Sequence, residues 1–173
     1  MKEIINNYDN LKAEEINRVV KRAKIVLIND NDEILICNSK NNYFLLGGHV
    51  EGNESDIVCL TRELEEEAGI NIELSNMNPF MSIKYFNRDY PSVGVNSASI
   101  ANYYYLKTDV EPKLDKTDLT EEEKNGNFRI EKIHISKIIE VLTNSLDNAT
   151  RRIVVEDTIE ALNEFIKEYL WKH

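Results

Sequence analysis

The sequence predicts an α/β fold of the α+β type, an α/β/α sandwich in which a mixed sheet lies between helices. Short apolar stretches bounded by turn-forming residues recur along the chain, as expected for strands. A helix is predicted over residues 54–68, and residues 150–171 carry apolar side chains at helical spacing. Strands first, a helix in the middle and a helix at the end favour a sheet packed between helices.

The individual strands are predicted from apolar or alternating residues between turn formers. The Asn-Asp-Asn-Asp run at 29–32 joins the first two strands into a hairpin. The first twenty residues are predicted to include a short helix, residues 109–127 are charged and expected to be irregular, and residues 136–142 form another short helix. The predicted strands are 23–29, 33–37, 43–46, 70–74, 81–86, 99–107 and 128–135.

The length and composition fit one domain that covers residues 1–173. Of these residues, 42% are hydrophobic and 30% are charged, which is typical of a globular protein. No repeat, low-complexity tract or Pro/Gly/Ser linker divides the chain. Residues 1–19 are expected to be an N-terminal extension of this domain, and residues 150–172 a C-terminal helix.

The sequence favours a cytoplasmic location and predicts no membrane partner. No apolar run approaches the roughly 20 residues that span a bilayer. The N-terminus also lacks the uninterrupted apolar stretch of a secretory signal. The two cysteines, Cys37 and Cys59, have no metal-binding or redox spacing, so we expect reduced thiols in the core.

The formal net charge of −10 argues against nucleic acid as a partner, because no broad basic surface would attract a phosphate backbone. The negative charge has two interpretations. It is either a solvated surface, or part of it collects metal ions that then meet a polyanionic substrate. Composition does not separate the two, so the spacing of the carboxylates has to decide.

The helix predicted over residues 54–68 places carboxylates on one side. At about 100° per residue, Glu63, Glu66 and Glu67 lie at i, i+3 and i+4 and are therefore neighbours. No lysine lies between residues 55 and 69 to relieve their repulsion. A divalent cation would turn the repulsion into attraction, and ligands that are all oxygens favour Mg²⁺ or Mn²⁺.

Glycines precede this helix and end it. Gly47 and Gly48 follow the predicted strand 43–46, and adjacent glycines let the backbone approach a ligand closely. A carbonyl in this loop could complete a metal site. Asn53 is the expected N-cap of the helix, and Gly69 is its stop signal. A strand, a glycine turn and an acidic helix together predict a metal site beside a place for phosphate oxygens.

The same residues resemble a known family. The stretch 48–70 resembles the Nudix box of Nudix hydrolases, which reads Gly, five residues, Glu, seven residues, then Arg-Glu-apolar-any-Glu-Glu-any-Gly-apolar. A random window of ordinary composition would fit this pattern with a probability on the order of 10⁻⁹. A weaker resemblance extends over most of residues 20–170. The matching residues are Gly48, Glu54, Arg62, Glu63, Leu64, Glu66, Glu67, Gly69 and Ile70.

The resemblance implies a Nudix sandwich that hydrolyses the phosphoanhydride bond of a nucleoside diphosphate linked to another moiety. It also implies Mg²⁺ or Mn²⁺ as cofactor and a small nucleotide-type molecule as substrate. Glu66 and Glu67 would be metal ligands, Glu63 either a ligand or the general base, and the carbonyl of Gly47 a further ligand. The metal would activate water and stabilise charge on the phosphates.

Supporting roles follow for two further residues of the box. Arg62 would orient the glutamates by ion pairing, with Glu66 one turn further along the helix as a partner. Glu54 would support the start of the helix.

Candidate substrate contacts include Gly47 and Gly48 in the loop, and Phe44 and Tyr85, whose rings could stack on a base. Family members recruit another carboxylate from a loop outside the box. The candidates for that role here, which could equally form a solvated acidic loop, are Glu121, Glu122 and Glu123.

A second hypothesis is a catalytically inactive Nudix-fold module that binds nucleotides or has a regulatory role. Degenerate family members usually lose glutamates of the box, and this sequence keeps all of them. The aromatic residues of the C-terminal helix are candidates for the core or for a homodimer interface.

Overall fold

A mixed sheet of seven strands lies at the centre of the computed structural model, which describes residues 1–172 apart from the side chains of Glu122, Glu123, Trp171 and Lys172. The order across the sheet is β1-β5-β6-β2-β3-β4, and β7 pairs with β3. The strands are β1 (Lys2–Asn6), β2 (Arg18–Ile28), β3 (Glu33–Ser39), β4 (Asn42–Phe44), β5 (Asn78–Asn87), β6 (Ser97–Lys107) and β7 (Arg129–His134).

Four α-helices connect or follow these strands in the described part of the chain. They are α1 (Asp56–Ala68), α2 (Glu121–Asn125), α3 (Ile135–Ser145) and α4 (Arg152–Lys172). Short 3-10 turns occupy Ala13–Glu15 and Leu114–Lys116. Among the described residues, no helix has the length and apolar character needed to cross a membrane.

Alternate side chains of β2 enter two separate cores, which confirms the predicted α/β/α sandwich. On one face, Ile25 and Leu27 pack in a buried cluster with Leu60 of α1. On the other face, Val26 packs in a cluster that includes Phe165 of α4. Because successive side chains of a strand point to opposite faces, a run of apolar residues in β2 buries both faces of the sheet.

The two edges of β2 are paired differently, and this leaves room for the candidate site. Along one edge β2 runs parallel to β6 over its whole length, from Arg18↔Ser97 to Ile28↔Lys107. Along the other edge it meets β3 only at Ile28↔Ile34. The rest of that edge holds the connection between β4 and α1, through isolated bridges at Ile25↔Leu46 and Arg22↔His49.

The short helix predicted in the first twenty residues is wrong. Instead, β1 adds a parallel strand to the edge of the sheet, with Lys2 opposite Met81 of β5. Its exposure alternates with a period of two residues, and Ile4 packs against the core on the α4 face. The extension at 1–19 therefore contributes to the sheet, and β2 begins at Arg18, earlier than predicted.

Three local predictions also need correction. Residues 70–74 do not form a strand: Ile70 and Leu74 are buried, but the segment pairs with no described strand. The N-cap of α1 is Ser55, whose Oγ accepts a hydrogen bond from the Val58 N–H at 3.3 Å, and not Asn53. Residues 109–127 are not wholly irregular, because they contain a 3-10 turn and α2.

Gly69 ends α1 as predicted, and its packing can be tested. It adopts φ 61°, and a Cβ there would lie 2.3 Å from the carbonyl oxygen of Lys113. Gly52 adopts φ 51°, and a Cβ at Gly52 would have nothing within 4 Å. Alanine in a left-handed conformation costs about 1–2 kcal/mol at either position, but only Gly69→Ala adds overpacking of about 1–3 kcal/mol.

Urea unfolding should therefore give a lower free energy of unfolding for Gly69→Ala than for Gly52→Ala. Equal losses would contradict the close contact between the end of α1 and the Lys113 carbonyl.

Candidate active site

A cavity of about 1080 Å³ opens where the edge of β2, the end of α1 and the start of α4 meet. Alternate side chains of β2, β5 and β6 form its floor. One wall is the glycine loop, defined here as Gly47, Gly48 and His49, and the opposite wall is formed by residues between 150 and 158.

Most residues singled out from the sequence lie at this cavity. Glu66 and Arg62 do not line it but contact each other behind the wall. Glu121 is exposed and pairs with Lys124 at 3.4 Å, while Glu122 and Glu123 lie outside the described side chains. The predicted residues that line the cavity are Phe44, Gly47, Gly48, Glu63, Glu67 and Tyr85.

Glu67 is held against the glycine loop. Its side chain reaches the interior, where the residue is only 6% exposed. Its Oε2 accepts a hydrogen bond from the Gly47 N–H at 3.1 Å. A buried carboxylate needs such partners to offset its lost hydration. This bond therefore holds Glu67, one predicted metal ligand, beside Gly47, whose carbonyl is another.

Gly47 is required by a contact with backbone, and Gly48 makes room for the Glu63 side chain. Gly47 adopts φ 110°, and a Cβ there would lie 2.3 Å from the carbonyl oxygen of Ala23. A Cβ on Gly48 would lie 2.1 Å from Oε1 of Glu63. The glycines therefore let α1 bring its carboxylates directly against the backbone of the loop.

Arg62 ties the acidic side of α1 together. Its Nη1 donates to Glu63 Oε1 at 2.8 Å and to Glu66 Oε2 at 3.2 Å. Its Nη2 donates to Glu54 Oε1 and to the carbonyl oxygen of His49, both at 2.9 Å. The predicted contact with Glu66 is present, and the same guanidinium also joins the residues before the helix and the glycine loop.

Burial, together with the nearby charges, shifts several pKa values around this network. Burial raises the pKa of Glu63 in spite of the opposing Arg62 guanidinium. Burial and the nearby carboxylates raise the pKa of the Cys59 thiol to about 11, so it is neutral at physiological pH and poorly suited to be a nucleophile. Burial, together with Arg22 and Lys24, lowers the pKa of His49 and favours a neutral imidazole.

A lysine that the sequence analysis did not assign contacts the proposed metal ligand. The ammonium of Lys24 donates to the carbonyl oxygen of Gly47 and lies 5.6 Å from the centre of the Phe44 ring. The available signal was three basic residues at even-numbered positions, Arg18, Arg22 and Lys24, which share one face of β2 once the strand is extended back to Arg18.

The residues present fit a hard divalent cation by their chemistry. Within the described residues, no three His, Cys, Asp or Glu side chains already converge as a metal-binding group. The donors at the loop are nevertheless all oxygens, from Glu63, Glu67 and the Gly47 carbonyl, and that carbonyl already accepts a hydrogen bond from the Lys24 ammonium.

A second polar pair lies on the wall formed by α4. The hydroxyl of Tyr85 donates to Oδ1 of Asp157 at 2.5 Å. Burial raises the pKa of Asp157, and this outweighs the opposing effects of the Tyr85 hydrogen bond and of Arg22. Asp157 could not be singled out from the sequence, because it lies on an amphipathic helix without a distinguishing neighbour.

This pair gives a pH-dependent prediction. A raised pKa means that the folded protein holds the Asp157 proton more tightly than the unfolded chain, so ionisation destabilises the fold as pH rises through that pKa. Asp157→Asn stays neutral and can still accept the Tyr85 hydrogen bond. The difference in Tm, Asp157→Asn minus the unmodified protein, should therefore be larger at pH 7 than at about pH 4, which is near the ordinary pKa of aspartate.

Thermal unfolding across this pH range would test the prediction, with the exposed Asp147→Asn as control. A difference in Tm that does not change with pH would contradict the assigned desolvation of Asp157.

The fold resembles solved structures of low sequence identity. A MutT NUDIX hydrolase from Burkholderia pseudomallei is 18% identical with a TM-score of 0.55, over 86% of this chain and 98% of that one. An Ap4A hydrolase of C. elegans is 16% identical with a TM-score of 0.51, over 89% and 99%. The E. coli ORF135 protein is 14% identical with a TM-score of 0.55, over 91% and 94%. These likenesses describe the fold.

The family is established by a sequence model. No curated protein matches the chain significantly in sequence. The model of the NUDIX domain matches residues 19–147, which is more than half of the chain and includes the glycine loop and all of α1. The chain therefore belongs to the NUDIX domain family and, as the sequence predicted, is a Nudix hydrolase.

Proposed function

We propose that this protein hydrolyses the phosphoanhydride bond of a nucleoside diphosphate linked to another moiety, with Mg²⁺ or Mn²⁺ as its cofactor. The observation that supports this most directly is the contact between α1 and the glycine loop. It sets the carboxylates of Glu63 and Glu67 on the wall of a cavity of about 1080 Å³. That volume is at the upper end of the range for small-molecule sites.

The metal would be held by Glu63, Glu66, Glu67 and the carbonyl of Gly47. When bound, it would neutralise the diphosphate and lower the pKa of a water molecule. Within the chain, Glu67 keeps the loop in place through the Gly47 N–H, and Arg62 orients the other two glutamates. Glu63 serves either as a ligand or as the general base.

The substrate would contact the glycine loop and the aromatic residues of the cavity. The absence of a side chain at Gly48 lets the Glu63 carboxylate lie against the loop, where a metal would offset its repulsion of phosphate oxygens. The rings of Phe44 and Tyr85 line the same cavity and offer surfaces for a base. A cytoplasmic location agrees with two buried cysteines, and the net charge of −10 argues against nucleic acid as the partner.

The first test is metal-dependent hydrolysis with glutamine variants. Release of phosphate or nucleoside monophosphate from a panel of nucleoside diphosphate derivatives should require Mg²⁺ or Mn²⁺ and stop with EDTA. Glu66→Gln and Glu67→Gln should lower kcat by about 100-fold or more, on the scale of losing one electrostatic contact to the transition state. The Tm without metal should change little.

Glu65→Gln is the matched control, because Glu65 lies on the same helix but is exposed to solvent. It should keep near-normal activity. Equal activity in all three variants would refute the assigned ligands. If the unmodified protein turned over no compound of a broad panel at saturating metal, the inactive nucleotide-binding module would be favoured instead.

A carboxylate from outside the box is a further part of the proposal, with Glu121, Glu122 and Glu123 as candidates. Thr120, immediately before them, lines the cavity. Single glutamine substitutions should reveal one position at which kcat falls while the Tm is kept. Three enzymes with near-normal kcat would reject this role.

A further inference from the structure

We propose that the floor of the cavity binds an extended polyphosphate, so that preferred substrates carry phosphates beyond the diphosphate that is cleaved. The feature that carries this inference is the cation row, defined as Arg18, Arg22 and Lys24 of β2. The inference rests on the proposed function and specifies its substrate class.

The three side chains of the cation row share one face of the sheet. They occupy alternate positions of β2, and all three line the cavity. At a rise of about 3.3 Å per residue, Arg22 lies about 7 Å from Lys24 along the strand, and Arg18 about 13 Å further. Lys24 contacts the Gly47 carbonyl and Arg22 pairs with His49, so these two residues lie beside the glycine loop, and Arg18 extends the row beyond it.

The two arginines of the row have no ion-pair partner among the described residues. Arg22 is partly buried and donates to Ser99 Oγ at 2.8 Å, and neither Arg22 nor Arg18 forms an ion pair with any described residue. The chain has 31 acidic and 21 basic residues, so carboxylates are not scarce. Arg129 and Arg152, which lie outside the cavity, both pair with a glutamate.

Burial without a paired carboxylate has a cost that an anion would offset. Desolvation lowers the pKa of Arg22, although Asp157 attracts it across the cavity. Asp157 already accepts a hydrogen bond from Tyr85. A partly buried cation is stabilised by a charged, hydrogen-bonded partner. A phosphate lying over Arg22 would supply that partner, whereas an uncharged sugar would not.

The charge pattern of the cavity gives the ligand a direction. Glu63, Glu67 and the glycine loop lie at one end, where they would hold a metal. The cation row continues from that end, and a cleft lined by one sign of charge concentrates ions of the opposite sign. Nucleoside tetraphosphates and dinucleoside tetraphosphates both contain a chain of four phosphates. They differ in whether a second nucleoside is attached to the far end of that chain.

Steady-state kinetics with Mg²⁺ would compare ADP-ribose, adenosine tetraphosphate and diadenosine tetraphosphate. For the unmodified protein we expect a higher kcat/KM with either tetraphosphate than with ADP-ribose. Arg22→Gln should lower the ratio of kcat/KM for a tetraphosphate to kcat/KM for ADP-ribose by about 10- to 100-fold, on the scale of losing a charge-assisted hydrogen bond. The loss should appear mainly in KM, and Arg22→Lys should recover part of it.

The controls separate binding from folding. Arg18→Gln should cause a smaller loss that fades at high salt, because this side chain is exposed and its field is screened. Arg129→Gln removes an exposed arginine on β7 and should leave the ratio unchanged. The Tm of each variant shows whether it is folded. Comparing kcat/KM for the two tetraphosphates shows whether the second nucleoside contributes to substrate recognition.

Binding without catalysis tests the inference separately from the proposed function. Calorimetry in EDTA should find that inorganic tripolyphosphate binds more tightly than pyrophosphate, and that Arg22→Gln removes this difference. If hydrolysis is absent but this result is obtained, the proposed function fails and the polyphosphate site stands. If hydrolysis occurs and Arg22→Gln lowers kcat/KM equally for all three substrates, or leaves tripolyphosphate binding unchanged, the inference is overturned and the proposed function stands.

Discussion

The close approach of α1 to the glycine loop is the constraint on which the candidate site depends. The Gly47 N–H reaches Glu67 at 3.1 Å, and Gly48 leaves no space for a Cβ beside Glu63. A Cβ at Gly47 would collide with the Ala23 carbonyl of β2, and a Cβ at Gly48 would displace the Glu63 carboxylate from the loop. Arg62 reinforces the contact, because its guanidinium binds both the glutamates of α1 and the His49 carbonyl.

The strand β2 connects this constraint to the rest of the fold. One face of its C-terminal half is buried under α1, and the opposite face packs toward α4. Its N-terminal half is not paired with β3, so the glycine loop can lie along its edge. The same strand therefore positions the loop, supports the acidic helix and supplies the floor of the cavity.

The distribution of charge explains how an acidic protein can serve a polyanionic substrate. The net charge of −10 belongs to the whole surface, whereas the cavity holds Arg18, Arg22 and Lys24 on its floor. Carboxylates are concentrated at the end of the cavity where metal would bind. A metal would neutralise the carboxylates at one end, and a phosphate chain would neutralise the cations on the floor. The local charges of the cavity, and not the net charge of the protein, therefore decide what it can bind.

The sequence by itself determined α1, its acidic side, the hairpin of β2 and β3 and the helix α4, because helical spacing and turn chemistry are local properties. Tertiary structure decided the rest. Lys2 pairs with Met81 in β1 and β5, residues 70–74 pair with no described strand although Ile70 and Leu74 are buried, and Tyr85 meets Asp157 across 72 positions of sequence. The floor of the cavity likewise exists only once β2, β5 and β6 lie side by side. Hydrogen bonds between distant strands select these contacts, and no short stretch of sequence encodes which strands will meet.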